Sequence, residues 1–302
     1  MQLEKCTKGL QESPKFRTFR LRDKNPLGGT EKVRLIRAPN EPMRVVHARF
    51  IKQLRELRIA LPFATGARPG DSVRRNVLRH QKNRFFYLID LHDAYQNVNE
   101  ERLFMVLCEI SPALSDYEAE VRDFLRKFCL APEGGLAVGA PSSPDLFNIY
   151  AGVLIDQLMA ELCQKYHLTY TRYLDDLTFS AKRRIGWRKR EMIREVVRQA
   201  GFEVSHRKAV VADLWKGPIK INGIRLELGG RMILPRHYLR KIRGLIHLAM
   251  TGRANERMHQ QIYGMMGVFW SSTNPMMPLN ATERDLVRRF REYRRYQPFG
   301  YL

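Results

Sequence analysis

Apolar positions recur along this chain with two different periods, which predict alternating strands and helices. Alternation of apolar and basic residues predicts a β-hairpin over residues 15–37, with a turn at Pro26-Leu-Gly-Gly29. Apolar residues spaced by three and four predict helices over residues 42–60, 100–110, 117–129, 144–166 and 187–200. Residues 1–13 lack such a pattern and are interpreted as a loose leader. A short basic helix is expected to end near His80.

Two apolar segments end in acidic residues. Residues 85–90 form an aromatic, apolar run that predicts a buried strand ending at Asp90. Residues 169–173 and 177–180 flank Leu174-Asp-Asp176, which predicts a hairpin with acids at its tip. A strand over 202–210, a short hairpin over 218–234 and a helical, basic segment from residue 235 are expected to follow. This mixture indicates an α+β protein.

The charge of the chain points to a polyanionic partner. Of 302 residues, 53 are Lys or Arg and 31 are Asp or Glu, giving a formal net charge of +22. Because the charge is spread along the sequence, a basic groove for nucleic acid is favoured over a basic tail or a membrane surface. The four cysteines have no CxxC spacing, and the N-terminal residues are too polar for a signal peptide. With no long uncharged apolar run, we expect a cytosolic protein without membrane contact.

The acids carry the candidate chemistry. A carboxylate at a buried strand end is costly unless it meets a cation. Magnesium prefers carboxylate oxygens together with substrate phosphates, and two such ions about 3.5–4 Å apart serve phosphoryl transfer. Asp-Asp is also common at ordinary hairpin turns, so Asp175 and Asp176 alone leave both readings open. Their combination with Asp90 and the glycine-rich loop between them favours a metal site.

Three segments in this order resemble the palm motifs of bacterial reverse transcriptases: Asp90-Leu-His-Asp-Ala-Tyr95, Gly139-Ala-Pro-Ser-Ser-Pro-Asp-Leu-Phe-Asn148 and Tyr173-Leu-Asp-Asp176. The segment 201–208 resembles the next palm motif, 221–226 the primer-gripping hairpin, and 64–80 a fingers motif of retron and group II intron enzymes. The resemblance covers about residues 15–250.

That resemblance implies a right-hand polymerase with an antiparallel palm sheet backed by helices. The implied parts are a leader (1–13), fingers (14–83 and 99–138), palm (84–98 and 139–234) and a helical thumb (235–302). It also implies two Mg²⁺ ions, or Mn²⁺, bound by Asp90 and Asp175 with help from Asp176. Lys208 is implied to protonate the pyrophosphate, with a plain phosphate contact as the alternative.

The resemblance further assigns nucleotide-binding roles. Tyr95 would lie under the sugar and exclude a 2′-hydroxyl, while the small residues Gly139 and Ala140 would let the template base pair approach. Arg34, with Arg22 or Lys24, would hold the triphosphate. Basic residues beside apolar ones at helical spacing predict a thumb helix that contacts nucleic-acid phosphates; they are Arg236, Arg240, Lys241 and Arg243.

The implied activity is RNA-directed DNA synthesis on a DNA or RNA primer. The retron type further implies a dedicated structured non-coding RNA, an effector protein and a role in phage defence. Two departures bear on this: Ala137-Val138 replaces the family's usual Pro-Gln, and Ile221-Asn-Gly223 replaces Val-Thr-Gly. The alternatives are an RNA-dependent RNA polymerase, which Tyr95 argues against, a template-independent or protein-primed polymerase, and a catalytically idle RNA-binding protein.

Overall fold

The computed structural model describes residues 2–23, 32–205 and 208–296. The predicted turn at Pro26 and the candidate Lys24 lie outside the described residues. Contacts divide the chain into two compact units. The first comprises Met1–Pro69, Ile89–Leu177 and Gly186–Ala209, and the second Gly70–Leu88, Thr178–Ile185 and Val210–Leu302. The finer division into fingers, palm and thumb stays a prediction.

Helices and strands alternate irregularly, as in an α+β protein. The α-helices are α1 (Glu4–Thr7), α2 (Glu41–Glu56), α3 (Val73–His80), α4 (Glu100–Ile110), α5 (Glu118–Phe128), α6 (Ser143–Ala151), α7 (Gln157–Tyr166), α8 (Trp187–Gln199), α9 (Arg236–Met250), α10 (Glu256–Ser272) and α11 (Ala281–Tyr296). The strands are β1 (Phe16–Asp23), β2 (Lys32–Pro39), β3 (Phe85–Asp90), β4 (Thr169–Tyr173), β5 (Asp176–Ala181), β6 (Val210–Asp213), β7 (Ile219–Ile221), β8 (Ile224–Leu226) and β9 (Met232–Ile233).

Within the part of the chain that the structure describes, the strands form three sheets. β1 and β2 make an antiparallel hairpin, and β7, β8 and β9 make a small antiparallel sheet. The central sheet has the order β4-β5-β3-β6, with β3 antiparallel to β6. This order makes β5, which follows the Leu174-Asp175 turn, the neighbour of β3, which ends at Asp90. The expected antiparallel sheet therefore brings the two acidic segments to adjacent strands.

Local sequence explains where the helices begin. The Asn40 side chain accepts a hydrogen bond from the Met43 amide at the start of α2, and Asn99 does the same for Arg102 in α4. Such side-chain caps satisfy amides that have no partner within the helix. α2 then buries an apolar stripe in the first unit; its members are Met43, Val46, Phe50 and Leu54.

The predicted helix over 144–166 is present but irregular. A π-helical turn, Gly152–Asp156, separates α6 from α7. The run Ser143–Tyr166 is long and apolar enough to span a membrane by length and composition, contrary to the expectation from the sequence. However, 61% of its most apolar window is buried inside the protein. We interpret it as a core helix of the first unit, since core helices pass the same test.

Two expectations from the sequence are wrong. The leader is not loose, because Cys6 is fully buried and the Arg49 guanidinium donates to the Lys8 carbonyl at 2.6 Å. The strand expected over 202–210 is absent from residues 202–205, 208 and 209, and a regular strand starts only at Val210; residues 206 and 207 lie outside the described residues. Within that segment Val204 makes an isolated bridge to Leu91. Its apolar alternation reflects single anchoring contacts instead of a continuous ladder.

Two apolar clusters lie among the described residues of the second unit. One joins α3, β3 and the small sheet through residues such as Val77, Phe86 and Ile221. The other is formed by α9, α10 and α11, as the helical C-terminal prediction requires. Helix α9 has the predicted amphipathic character, because Leu239, Ile242, Leu245 and Ile246 are buried within this cluster.

Candidate active site

An open cleft of about 650 Å³ lies in the first unit and is lined by five of the predicted site residues. It is lined by Arg34, Asp90, Tyr95, Val138, Asp175 and Lys208, together with Leu91, His92, Asp93, Ala94, Gln96, Glu203, Val204 and Ser205. The sequence places these residues on five separate segments. The fold therefore gathers the candidate metal ligands, the candidate sugar contact and two basic side chains around one space.

Backbone hydrogen bonds fix the two acidic segments side by side. The Leu91 amide donates to the Asp175 carbonyl at 3.0 Å, and the Ser205 amide donates to the Asp90 carbonyl at 2.8 Å. Asp90 ends a strand whose preceding residues, Phe86 to Ile89, are mostly buried. Each acid is thus held by rigid backbone at a strand end, where its side chain can reach the cleft.

The electrostatics of the cleft favour a cation. Burial raises the pKa of the Asp175 carboxyl, and the neighbouring Asp90 carboxylate raises it further. The positive charges of Lys208 and Arg34 act in the opposite direction. A raised carboxyl pKa means that the ionised pair is unfavourable in the free protein. A divalent cation between the carboxylates relieves that repulsion.

Lys208 already supplies a positive charge at this position. Its ammonium lies 2.8 Å from the Asp90 carboxylate, and the lysine side chain is 58% exposed. The lysine therefore neutralises Asp90 from the solvent side. Its predicted role as a proton donor stays a prediction, since the present contact is with a carboxylate.

The residues present fit a divalent ion whose remaining ligands come from the substrate. No group of three or more His, Cys, Asp or Glu side chains arranged to hold a metal occurs within the described ranges. Asp176 is not among the cleft-lining residues, so only Asp90 and Asp175 of the predicted trio meet there. Two carboxylates are nevertheless the number that magnesium commonly takes from a protein when substrate phosphates provide the remaining oxygens.

Tyr95 forms one wall of the cleft. Its ring packs against Phe147 with centroids 5.3 Å apart, and burial raises the pKa of its hydroxyl above the usual range. The ring is therefore a neutral, fixed surface. The backbone of Gly135 lies close to that of Tyr95, which only glycine allows, because a Cβ at position 135 would lie 2.5 Å from the Tyr95 carbonyl oxygen. Val138 also lines the cleft, so the departure from the family's glutamine changes the site itself.

The register of the β1–β2 hairpin separates the two arginines predicted to hold the triphosphate. Arg34 pairs with Leu21, whereas Arg22 pairs with Val33. Because directly paired residues share a face and neighbours alternate, Arg34 and Arg22 point to opposite faces of the hairpin. Arg34 lines the cleft, and Arg22 is not among the lining residues.

The two small residues expected to admit the template base pair have protein neighbours. Ala140 is buried. A Cβ on Gly139 would lie 2.8 Å from the Arg37 carbonyl oxygen, and the Gly139 φ of +102° is one that other residues rarely adopt. The close approach at Gly139 is therefore to strand β2. Neither residue is among those that line the cleft.

Several lining residues were not singled out from the sequence. His92, Asp93 and Gln96 come soon after Asp90, and Glu203 and Ser205 lie inside the segment that resembles the fourth palm motif. Their position within those motifs is the feature of the sequence that could have identified them as site residues. Their residue types alone do not mark them, because isolated polar residues near strand ends are common.

The basic residues predicted to contact nucleic acid all lie on α9, in the second unit. Arg236, Arg240 and Lys241 are exposed, and Arg243 is partly buried. Helix α9 therefore has a basic face opposite its buried apolar one. Its binding role stays a prediction.

Comparison with known proteins agrees with the resemblance of the motifs. Residues 21–226 match the family described as reverse transcriptase (RNA-dependent DNA polymerase). The retron Ec83 reverse transcriptase of Escherichia coli is 24% identical over 78% of this chain and 77% of that protein. The retron Ec86 reverse transcriptase of the same species is also 24% identical, over 81% of this chain and 73% of its own length.

A solved structure shares the fold. Telomerase from Candida tropicalis, in complex with a TWJ fragment of telomeric RNA, superposes with a TM-score of 0.51 at 11% identity, over 95% of this chain. This chain spans only 55% of that telomerase chain. The likeness confirms the α+β polymerase fold predicted from the sequence. Since the family match covers more than half of the chain and includes both acidic segments, the protein belongs to the reverse transcriptase family and is an RNA-directed DNA polymerase.

Proposed function

We propose that the cleft adds deoxynucleotides to a primer on an RNA template, with two divalent metal ions held by Asp90 and Asp175. The observation that carries this proposal is the meeting of these two carboxylates, Tyr95 and Arg34 in one cleft. Mg²⁺ is the expected ion and Mn²⁺ a substitute. When bound, the ions supply activation of the primer hydroxyl and neutralisation of the phosphate charge.

The protein side chains provide positioning around that chemistry. Arg34 lies where it can contact an anionic triphosphate, and its charge already acts on Asp175. We propose that the Tyr95 ring on the cleft wall lies under the incoming sugar, so that a 2′-hydroxyl would clash with it and deoxynucleotides are preferred. Lys208, now on Asp90, is near enough to the cleft to turn to the phosphates once a metal takes its place.

We further propose a retron-type role in the cytoplasm. The two Escherichia coli relatives are retron reverse transcriptases and resemble this chain over most of its length. By that likeness the template is a dedicated structured non-coding RNA, the partner is an effector protein, and the purpose is phage defence. The formal net charge of +22 suits an RNA partner of this kind.

Primer extension tests the polymerase proposal. The wild-type protein and an Asp175→Ala/Asp176→Ala variant are compared on poly-rA/oligo-dT with Mg²⁺ or Mn²⁺. We expect metal-dependent incorporation of dTTP by the wild type, and its loss in the variant. Equal incorporation by both proteins contradicts the assigned acids. Incorporation of UTP as readily as dTTP contradicts the role of Tyr95.

RNA that copurifies with the protein tests the retron proposal. Sequencing of the bound RNA and of any covalently linked DNA is expected to return one structured transcript as the main species. A protein that binds structured RNA but performs no metal-dependent synthesis is instead the catalytically idle binder. Synthesis without any added template identifies a template-independent or protein-primed polymerase.

A further inference from the structure

A buried ion pair lies directly behind the acidic turn in the first unit. Arg172 and Asp156 are almost completely inaccessible to solvent, and the guanidinium contacts both carboxylate oxygens at 2.8 and 2.9 Å. Tyr170 donates a further hydrogen bond to Asp156 at 2.8 Å. Burying each of these charged or polar groups costs free energy, and each of them has a hydrogen-bond or ion-pair partner that offsets this cost.

The same guanidinium reaches the turn that carries the candidate catalytic acid. One Arg172 nitrogen donates to the Leu174 carbonyl at 3.2 Å, one residue before Asp175. Leu174 has a φ of +55°, in the left-handed region that non-glycine residues rarely occupy. A backbone conformation of this kind persists only when its surroundings enforce it. The Arg172 contact is one such constraint.

Two elements hold the guanidinium in place, and a third segment fixes the backbone of Arg172. Asp156 belongs to the π-helical turn between α6 and α7, and π turns are frequent at functional sites. Asn148, from the glycine-loop motif, accepts from Arg172 through its side chain at 3.0 Å and its carbonyl at 3.2 Å. The Arg172 backbone is itself fixed by Phe63 and Thr65, each through a 2.8 Å hydrogen bond.

Stability alone does not account for such an arrangement. Well-packed apolar residues of similar volume commonly stabilise a core as well as a buried ion pair does. An apolar pair, however, makes no directional contacts, and it has no group that can donate a hydrogen bond to the Leu174 carbonyl. The forked shape of the guanidinium serves both partners at once, which a lysine cannot.

We propose that Arg172 is a positioning residue, whose guanidinium, oriented by Asp156 and Asn148, holds the Leu174-Asp175 turn so that the Asp175 carboxylate keeps its place in the cleft. This inference rests on the proposed catalytic role of Asp175. It predicts that loss of Arg172 slows turnover without weakening substrate binding, because the guanidinium is buried away from the cleft.

The first experiment separates positioning from stability. An Arg172→Met/Asp156→Leu/Tyr170→Phe variant replaces the polar cluster with apolar side chains and is measured by thermal melting and steady-state primer extension. We expect a melting temperature close to that of the wild type. We expect kcat to fall by about 100-fold, the scale of a misplacement near 1 Å, with the KM for dTTP and for primer-template within about threefold.

A second pair of variants decides the matter even if the apolar variant does not fold. Arg172→Lys retains the charge opposite Asp156 but cannot also reach the Leu174 carbonyl, so kcat falls with KM unchanged. Adding Leu174→Gly allows the turn its positive φ without strain and restores part of kcat. Tyr170→Phe is the matched control, since it removes a hydroxyl that contacts Asp156 and Arg172 but leaves the Arg172–Leu174 hydrogen bond in place, and its kcat stays near wild type.

Three results overturn the inference: wild-type kcat in the folded apolar variant, wild-type kcat in folded Arg172→Lys, or an equal loss of kcat in Tyr170→Phe. Failure of the underlying function is distinguishable from these. If the wild type itself shows no synthesis that depends on Asp175, the proposed function fails. If that synthesis is present and Arg172 variants retain it, only the positioning role fails.

Discussion

From the contact between Lys208 and Asp90 we predict that removing the lysine charge has opposite effects on two quantities: metal binding becomes tighter and kcat falls. The lysine ammonium lies 2.8 Å from a carboxylate oxygen that a metal ion is proposed to use, so lysine and metal compete. Lys208→Met keeps a similar stem and removes the charge. Because the lysine side chain is 58% exposed, solvent screens the pair, and exposed pairs contribute about 0.2–1 kcal/mol.

That energy converts into a change in metal affinity. Loss of a competitor worth about 0.2–1 kcal/mol tightens metal binding by about 1.4- to 5-fold. Catalysis moves the other way. If Lys208 transfers a proton to the pyrophosphate, its loss lowers kcat by about 10²–10⁴-fold, the usual contribution of a positioned acid. Tighter binding with slower turnover is an outcome that simple loss of structure does not produce.

The assay measures the two quantities separately. Free Mn²⁺ is followed by electron paramagnetic resonance while protein without nucleic acid is titrated, and kcat is measured by primer extension at saturating metal. Lys127→Met is the control, since Lys127 makes an exposed 2.8 Å ion pair with Asp123 and does not line the cleft. Unchanged or weaker Mn²⁺ binding in Lys208→Met, relative to wild type, refutes the competition.

Three further predictions concern the same cleft. Burial raises the pKa of the Asp175 carboxyl in the folded protein, so the metal-free protein loses stability as pH rises from the unfolded pKa of about 3.9 through the folded value. Asp175→Asn is expected to remove this pH dependence and to raise the melting temperature at neutral pH. Thermal melts in the presence of a chelator measure both effects. Gly135→Ala and Gly134→Ala both place a side chain at a positive φ, but only Gly135→Ala brings a Cβ to 2.5 Å from the Tyr95 carbonyl oxygen. In urea unfolding Gly135→Ala should therefore lose about 1–3 kcal/mol more stability than Gly134→Ala, and it should reduce synthesis, which Gly134→Ala retains; equal losses contradict the clash. Val138→Gln adds an amide to the cleft wall, and a new hydrogen bond to the nucleotide should lower the KM for dTTP by about 2- to 12-fold with kcat unchanged; an unchanged KM means that this wall does not contact the nucleotide.

The parts of the fold that sequence reasoning predicted well are those with strong local signals. Strand β3 matches its apolar run at both ends, and α4 matches its helical spacing. The acids Asp90 and Asp175 could be found because a charged residue at the end of a buried strand is costly and therefore conspicuous. At these positions the local apolar pattern and the cost of burying a charge gave the same prediction.

Other features depend on distant parts of the chain and left no local signal. Cys6 is buried only because α2 offers it a surface, so the sequence of the leader gave no indication of its packing. Val204 makes one isolated bridge, and the Phe202 ring packs edge-on against Phe147 and Tyr150; the alternation of a strand imitates this pattern of separate contacts. The placement of Arg22 and Arg34 on opposite faces depends on the register of the hairpin, because neither composition nor charge specifies which face of a hairpin a residue occupies.

The buried pair behind the acidic turn was also invisible in the sequence. Arg172 sits in a strand pattern and Asp156 in a helix pattern, and each could equally have faced solvent. Their pairing depends on how the long helix is wound where it passes the sheet. Only the three-dimensional arrangement turns two ordinary charges into a single constraint on Asp175.

The π-helical turn Gly152–Asp156 has a consequence for how this protein tolerates length changes. A π turn accommodates one residue more than the corresponding α-helical turn. Deleting a single residue within this turn is therefore expected to leave a regular helix, with α7 in nearly its present orientation and Met159 and Cys163 still buried. A deletion within α7 has no extra residue to absorb it, so every position beyond it would rotate by about 100°, and Cys163 would turn away from the core. We therefore expect the run Ser143–Tyr166 to tolerate the loss of one residue at the π turn far better than within α7.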